Sequence, residues 1–177
     1  MALIPYADED PQDERVEAVL GRLPEPRINL FRMLANAPTL IGPALRLGEA
    51  ILTKSDLDPK LRELVILRAA RVTGSEYEWV QHEGIARLVG LSEEEIAGVA
   101  DDQRPALALV DALLRDGGTP SPELVAEVDA ELGRAQLLEV ILTAGYYAML
   151  GGLMRAVQLD VDNVLEKGML DRERLGG

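Results

Sequence analysis

Cysteine is missing from this sequence, which excludes disulfides, thiolate nucleophiles, C-x-x-C redox centres and Cys-ligated zinc or iron–sulfur sites. Histidine is nearly missing too. His82 is the only one, so no multi-histidine metal site can form within one chain, and no metal is expected. Aromatic residues are scarce, with one Phe, one Trp and four Tyr, and no β-branched or aromatic run of period two occurs. Strands are therefore not expected. Basic residues are outnumbered, 18 Lys and Arg against 31 Asp and Glu, for a net charge of −13. Such a surface repels phosphate backbones and anionic headgroups, so neither nucleic acid nor a membrane is an expected partner. No apolar run approaches the roughly 20 residues needed to span a bilayer. The opening MALIPYADEDPQDER has no basic region followed by an apolar stretch, so no secretory signal is seen and a cytoplasmic location is expected.

What is present points to helices. The chain has 177 residues, 47% of them apolar, enough for one domain and short for two. Leu and Ala, both strong helix formers, dominate the apolar set. An N-terminal arm and short helix are expected over 1–26, a helical domain over 27–160 and a charged C-terminal tail over 161–177. Within this frame, helices are expected over 12–23, 27–38 and 39–53. Asp58-Pro59 then reads as an N-cap with proline at the first helical position, and Gly74 as a left-handed C-terminal cap. Ser75 caps the next helix, 76–89. Ser92 and Glu95 form a capping box for a helix over 93–100. Further helices are expected over 104–116 and from Ser121-Pro122 to Leu132. A long apolar helix over 134–158 completes the set. Being apolar nearly all round, it must be enclosed on most sides, either at the centre of a monomeric bundle or by a partner subunit. A homo-oligomer is the expectation.

The best candidate for chemistry is the helix SEYEWVQHEGIARLVG. Ser75, Glu78 and His82 fall at spacings of three and four, on one helix face. A carboxylate one turn before an imidazole can fix its tautomer and, with it, move a proton near neutral pH. Glu63 lies one helix earlier among residues that read as buried, and needs a partner in His82, Arg68 or Arg71. Otherwise the arginines read as solvated surface charges. Tyr77, Trp79 and the Gly145-Tyr146-Tyr147 run read as packing residues.

Three segments, LANAPTLIGPALRLGEAIL, DPKLRELVILRAARVTGSEYEWVQHEGIARLVGLSEEEI and LTAGYYAMLGGLMRAVQL, together resemble the carboxymuconolactone decarboxylase family, which shares its fold with the alkylhydroperoxidase D (AhpD-like) proteins. The resemblance spans roughly residues 30–160. In the family's thiol peroxidase branch a glutamate stands twelve residues ahead of a C-x-x-C pair, and a histidine follows the second cysteine by four. The matching positions here are Glu63, Ser75, Glu78 and His82. Serine and glutamate cannot perform thiol chemistry, so peroxidase activity is excluded.

The resemblance instead implies an all-α AhpD-like bundle, oligomeric as a trimer or hexamer, acting without a cofactor as a lyase or decarboxylase. Its substrate would be a small anionic molecule, an unsaturated lactone or carboxylic acid. His82 would be the general acid/base, Glu78 its orienter and Glu63 a second proton carrier or anchor. Arg68, Arg71 and Ser75 would hold the substrate. The alternative is a non-catalytic oligomeric binding or scaffold member of the same fold. An open pocket reaching His82 would speak for the enzyme, and a site closed by its own side chains for the scaffold.

Overall fold

The computed structural model describes residues 1–115 and 118–162. They form nine α-helices and one 3₁₀ turn, with no strand among the described residues, so the all-α expectation holds. The helices are α1 (Glu14–Leu20), α2 (Asn29–Leu34), α3 (Ile41–Lys54), α4 (Pro59–Thr73), α5 (Glu76–Leu88), α6 (Glu93–Ala97), α7 (Pro105–Leu114), α8 (Pro122–Leu132) and α9 (Arg134–Ala156). Gly98–Ala100 adds the 3₁₀ turn after α6. Of the tail, only Val161 and Asp162 fall within the described residues.

Local chemistry sets the borders of α4 and α5. The Asp58 side chain accepts hydrogen bonds from the amides of Lys60 and Leu61, Pro59 occupies the first turn, and Gly74 closes the helix at φ 66°. Ser75 then caps α5 by accepting from the Glu78 amide. Only the left-handed Gly74 and the extended Ser75 separate the two helices, so they fold back on each other and pack together. Every residue from Arg62 to Ala70 is buried, which makes α4 the centre of the bundle, packed by α5, α7 and α9. Three of those buried residues, Arg62, Glu63 and Arg68, carry charge, and each must find a counter-charge.

Long and apolar enough by composition to cross a bilayer, α9 instead has half of its most apolar stretch buried inside the bundle, against α4, α5, α7 and α8. Glu139 of α9 accepts hydrogen bonds from the Ser55 hydroxyl and the Asp56 and Leu57 amides. It thereby ties the α3–α4 turn to α9. The N-terminal arm is pinned as well. The Met1 ammonium and the Tyr6 hydroxyl both reach Asp160, the Ala7 amide donates to the Arg32 carbonyl, and Tyr6 and Ala7 are buried. Helix α2 is shorter than the expected 27–38, because the chain turns at Ala35 ahead of Pro38. The first turn of α2 is tied to α5, the Leu30 amide donating to the Tyr77 hydroxyl.

Candidate functional site

The site is built where α4, α5 and α9 meet. Glu63, wholly buried on α4, receives a hydrogen bond from Arg62 Nε on Oε1 at 3.0 Å, and its Oε2 lies 2.8 Å from His82 Nδ1. A carboxylate beside a guanidinium accepts rather than donates. In the neutral form of the ring the hydrogen is therefore assigned to Nδ1, and Nε2 keeps its lone pair. Glu78 Oε2 stands 3.6 Å from Nε2, beyond a hydrogen bond. The two carboxylates thus flank opposite edges of the ring. Tyr147 of α9 meets the same ring edge-to-face, with centroids 4.7 Å apart, and Arg62 Nη1 donates to the Leu52 carbonyl at 2.8 Å.

Glu78 is the unusual member. It is 2% exposed, and its Oε1 has no hydrogen-bond partner among the described residues. Burial pushes its pKa up to about 7. The nearby His82 pulls it down, and the Glu63 charge adds to the rise. The same burial, reinforced by the charges of Glu78 and Glu63, drives the Tyr147 phenol well above its ordinary value. Tyr146 is pushed up to about 12, first by burial and then by Glu78.

Beside His82 and Glu78 opens a cavity of about 330 Å³, large enough for a small ring compound. Its walls are mostly aliphatic and aromatic. Ile28 and Phe31 come from the N-terminal segment, Leu45 and Leu52 from α3, and Tyr146 and Tyr147 from α9. Glu49 and Thr53 of α3 also line it, and both are exposed. No Arg or Lys lines it among the described residues.

Of the six residues expected at the site, the structure brings three together, Glu63, Glu78 and His82. The orienting contact differs from expectation. Glu63 holds the imidazole by a hydrogen bond, and Glu78 faces it across a gap. Ser75, Arg68 and Arg71 do not line the cavity. Ser75 is buried as the α5 cap under Gly151, where an added Cβ would stand 3.0 Å from the Ser75 Cβ. Arg68 is turned the other way across α4, with two nitrogens on Asp111 and a third on the Val99 carbonyl. Arg71 lies exposed, its guanidinium carbon 3.7 Å above the Trp79 ring. Neither arginine expected as a carboxylate clamp is thus part of the cavity lining.

Sequence reasoning missed Arg62, whose signal was a second charge adjoining Glu63 in a buried stretch. It also read Tyr146 and Tyr147 as packing residues, although both line the cavity. Two hydroxyls within an otherwise aliphatic helix were the available hint. Gly48 was missed as well. A Cβ there would fall 2.5 Å from the Tyr146 hydroxyl, so only glycine leaves that hydroxyl room to donate to the Ala44 carbonyl. Among the described residues, no group of three or more Asp, Glu or His side chains is arranged to hold a metal ion.

Comparison with known proteins agrees with this architecture. Residues 43–114 match the family model described as the carboxymuconolactone decarboxylase family, a segment that contains Glu63, Glu78 and His82. A solved structure of similar fold is the debrominase Bmp8, a cysteine-to-alanine variant in complex with 2,3,4-tribromopyrrole. It aligns with a TM-score of 0.63 over 91% of this chain and 90% of that one, at 18% identity. No curated protein matches the chain. The chain is thus a cysteine-less, all-α protein of AhpD-like fold whose residues 43–114 carry the pattern of the carboxymuconolactone decarboxylase family.

Proposed function

We propose that this protein is a cofactor-free enzyme of proton-transfer chemistry, acting on a small unsaturated lactone or related carbonyl compound in the cavity beside His82. One observation carries the reading. A buried imidazole is fixed by Glu63 through Nδ1 and, beside an apolar cavity, stands 3.6 Å from a carboxyl whose pKa lies near neutrality and whose Oε1 has no partner among the described residues. Such a pair has one proton to give and one lone pair to receive another.

In the proposed step, His82 Nε2 takes a proton from the carbon conjugated with the carbonyl. The C–H electron pair moves into the conjugated system, and the protonated Glu78 donates a hydrogen bond to the carbonyl oxygen where charge accumulates. The proton then returns to carbon from the imidazolium. Loss of CO2 from a lactone acid, the reaction implied by the family resemblance, would end in the same protonation of carbon. An inert scaffold would have no use for a chamber beside the imidazole, and the cavity supports the catalytic reading. The debrominase of similar fold binds a small ring compound, in keeping with a chamber of this size. Thiol-dependent debromination is not proposed, since the chain has no cysteine.

The test is deuterium uptake from D2O into small unsaturated lactones and enones, followed by NMR, alongside CO2 release from carboxymuconolactone. His82→Gln is expected to lower the exchange rate by about 10²-fold or more. Undiminished exchange in that variant would overturn the mechanism.

Self-association belongs to the same proposal. Ala135, Leu138, Leu142, Gly145, Met149 and Gly152 are all exposed on α9, at alternating spacings of three and four. That is the seam two helices use to pack together.

A further inference from the structure

We infer that the cavity selects a neutral substrate, an uncharged unsaturated lactone or enone, and discriminates against the carboxylate-bearing compounds that the family resemblance implies. This rests on the proposed proton-transfer function and names its substrate class. Three observations on the cavity carry it.

The first is the balance of charge. Two carboxyl side chains, Glu49 and Glu78, line the space, and no Arg or Lys lines it among the described residues. The nearest buried cation, Arg62, is committed to Glu63 and to the Leu52 carbonyl. Arg68 is held by Asp111 and the Val99 carbonyl, on residues outside the cavity lining. A ligand carboxylate entering this apolar chamber would give up its hydration without a counter-charge, next to one or two like charges. The chain's net charge of −13 opposes its approach as well.

The second is the state of the lining donors. The Tyr77 hydroxyl donates to Asp162, the Gln81 amide to the Asp162 carbonyl, the Tyr146 hydroxyl to the Ala44 carbonyl and the Thr53 hydroxyl to the Glu49 carbonyl. These four groups already have protein acceptors, and the Tyr147 hydroxyl, the remaining phenol of the lining, does not by itself form an anion cradle.

The third is Glu78 Oε1. It is buried and without a hydrogen-bond partner among the described residues, on a side chain that lines the cavity. A protonated carboxyl there supplies one hydrogen bond, matched to one carbonyl oxygen, with the rest of the ligand against Phe31, Leu45 and Tyr147. A ring with one carbonyl and no charge gives that carboxyl an acceptor and asks for no counter-charge. The reaction on such a ligand is a shift of the double bond. The γ C–H bond breaks, its electron pair passes through the C=C into the lactone carbonyl, and a C–H bond forms at the α carbon. No oxidant, reductant or leaving group is required.

The experiment compares γ-methyl butenolide with γ-carboxymethyl butenolide, in which a carboxylate replaces one methyl hydrogen. Binding to the full chain is measured by calorimetry near pH 6, below the value of about 7 to which burial pushes the Glu78 carboxyl, and deuterium uptake and double-bond migration by NMR. The neutral lactone is expected to bind at least about tenfold more tightly than the carboxylate, and Glu49→Lys should narrow that ratio by improving carboxylate binding. Equal or tighter binding of the carboxylate, CO2 release from it, or binding of neither compound would overturn the inference. A neutral lactone that binds selectively but neither exchanges nor isomerises would uphold the charge selection and sink the proposed proton transfer instead.

Discussion

Glu78 exposes a cost that can be read without any substrate. Its carboxyl titrates near 4.5 when unfolded and is pushed up to about 7 by burial in the fold. Between those values the folded chain holds a proton that the unfolded chain has released. The free energy of unfolding therefore falls as pH rises through this window, by a total on the order of 3 kcal/mol. Glu78→Gln removes that dependence. Chemical denaturation should find the variant more stable than its parent at pH 8, with the advantage gone at pH 4; an advantage unchanged between the two would refute it. Arg62 makes the opposite case. Arg62→Met strands the buried Glu63 carboxylate and is expected to cost about 3–5 kcal/mol, whereas adding Glu63→Gln should recover part of the loss. At this scale the sequence yielded Glu63, Glu78 and His82 and offered His82 as one of three partners for Glu63, without deciding among them. A four-residue helical spacing brings Glu78 to 3.6 Å from the imidazole without fixing which ring edge it meets, while the 2.8 Å contact with Glu63 depends on how α4 packs on α5. The arginines failed for a related reason. Arg62 and Arg68 lie on one buried helix, and only tertiary packing decides that the first faces the site and the second faces Asp111.

Helix borders were legible where proline, glycine and a capping side chain coincide. Asp58-Pro59 and Gly74 bracket α4 as expected, and Ser121-Pro122 and Gly133 bracket α8. They were not legible in 24–40, where prolines mark turns but the walls of a cavity are recorded only in the fold. Gly48 shows how a site can depend on an element's least conspicuous residue. It lets α3 approach α9 so closely that the Tyr146 hydroxyl reaches the Ala44 carbonyl at 3.1 Å, and it lines the cavity itself. In Gly48→Ala the new Cβ would collide with that hydroxyl at 2.5 Å. The tyrosine must then swing away, losing its hydrogen bond and disturbing the chamber wall. The gain in helix propensity from alanine, up to about 1 kcal/mol, is expected to be outweighed by overpacking of about 1–3 kcal/mol. Thermal or urea denaturation should show net destabilisation, and ligand binding should weaken beyond what the stability loss explains. An alanine variant as stable as its parent would show that the wall yields freely.

For the whole molecule, composition required that the long apolar helix be enclosed but could not say by what. The fold encloses one side of α9 and leaves Leu138, Leu142 and Met149 more than half exposed, at 53%, 57% and 56%. Exposed leucines are ordinary when scattered, but here they alternate with Gly145 and Gly152 on one face, where small residues let a second helix come close. A chain carrying −13 would normally repel its own copies. The seam positions themselves are uncharged, and Glu139, the one charged residue of α9 between Ala135 and Gly152, is held by the Ser55 hydroxyl and the Asp56 and Leu57 amides. Association through this face would bury apolar surface while the acidic residues stay in solvent. Introducing charge into the seam, as Leu142→Glu with Met149→Glu, places like charges opposite one another in any symmetric pairing of α9 helices. Light scattering coupled to size exclusion should then report a 19.2 kDa monomer where the parent chain runs as an oligomer, with the helical circular-dichroism spectrum retained. A parent that is already monomeric at high protein concentration would defeat the proposal outright, and an oligomer indifferent to both glutamates would place its interface on another face of the bundle.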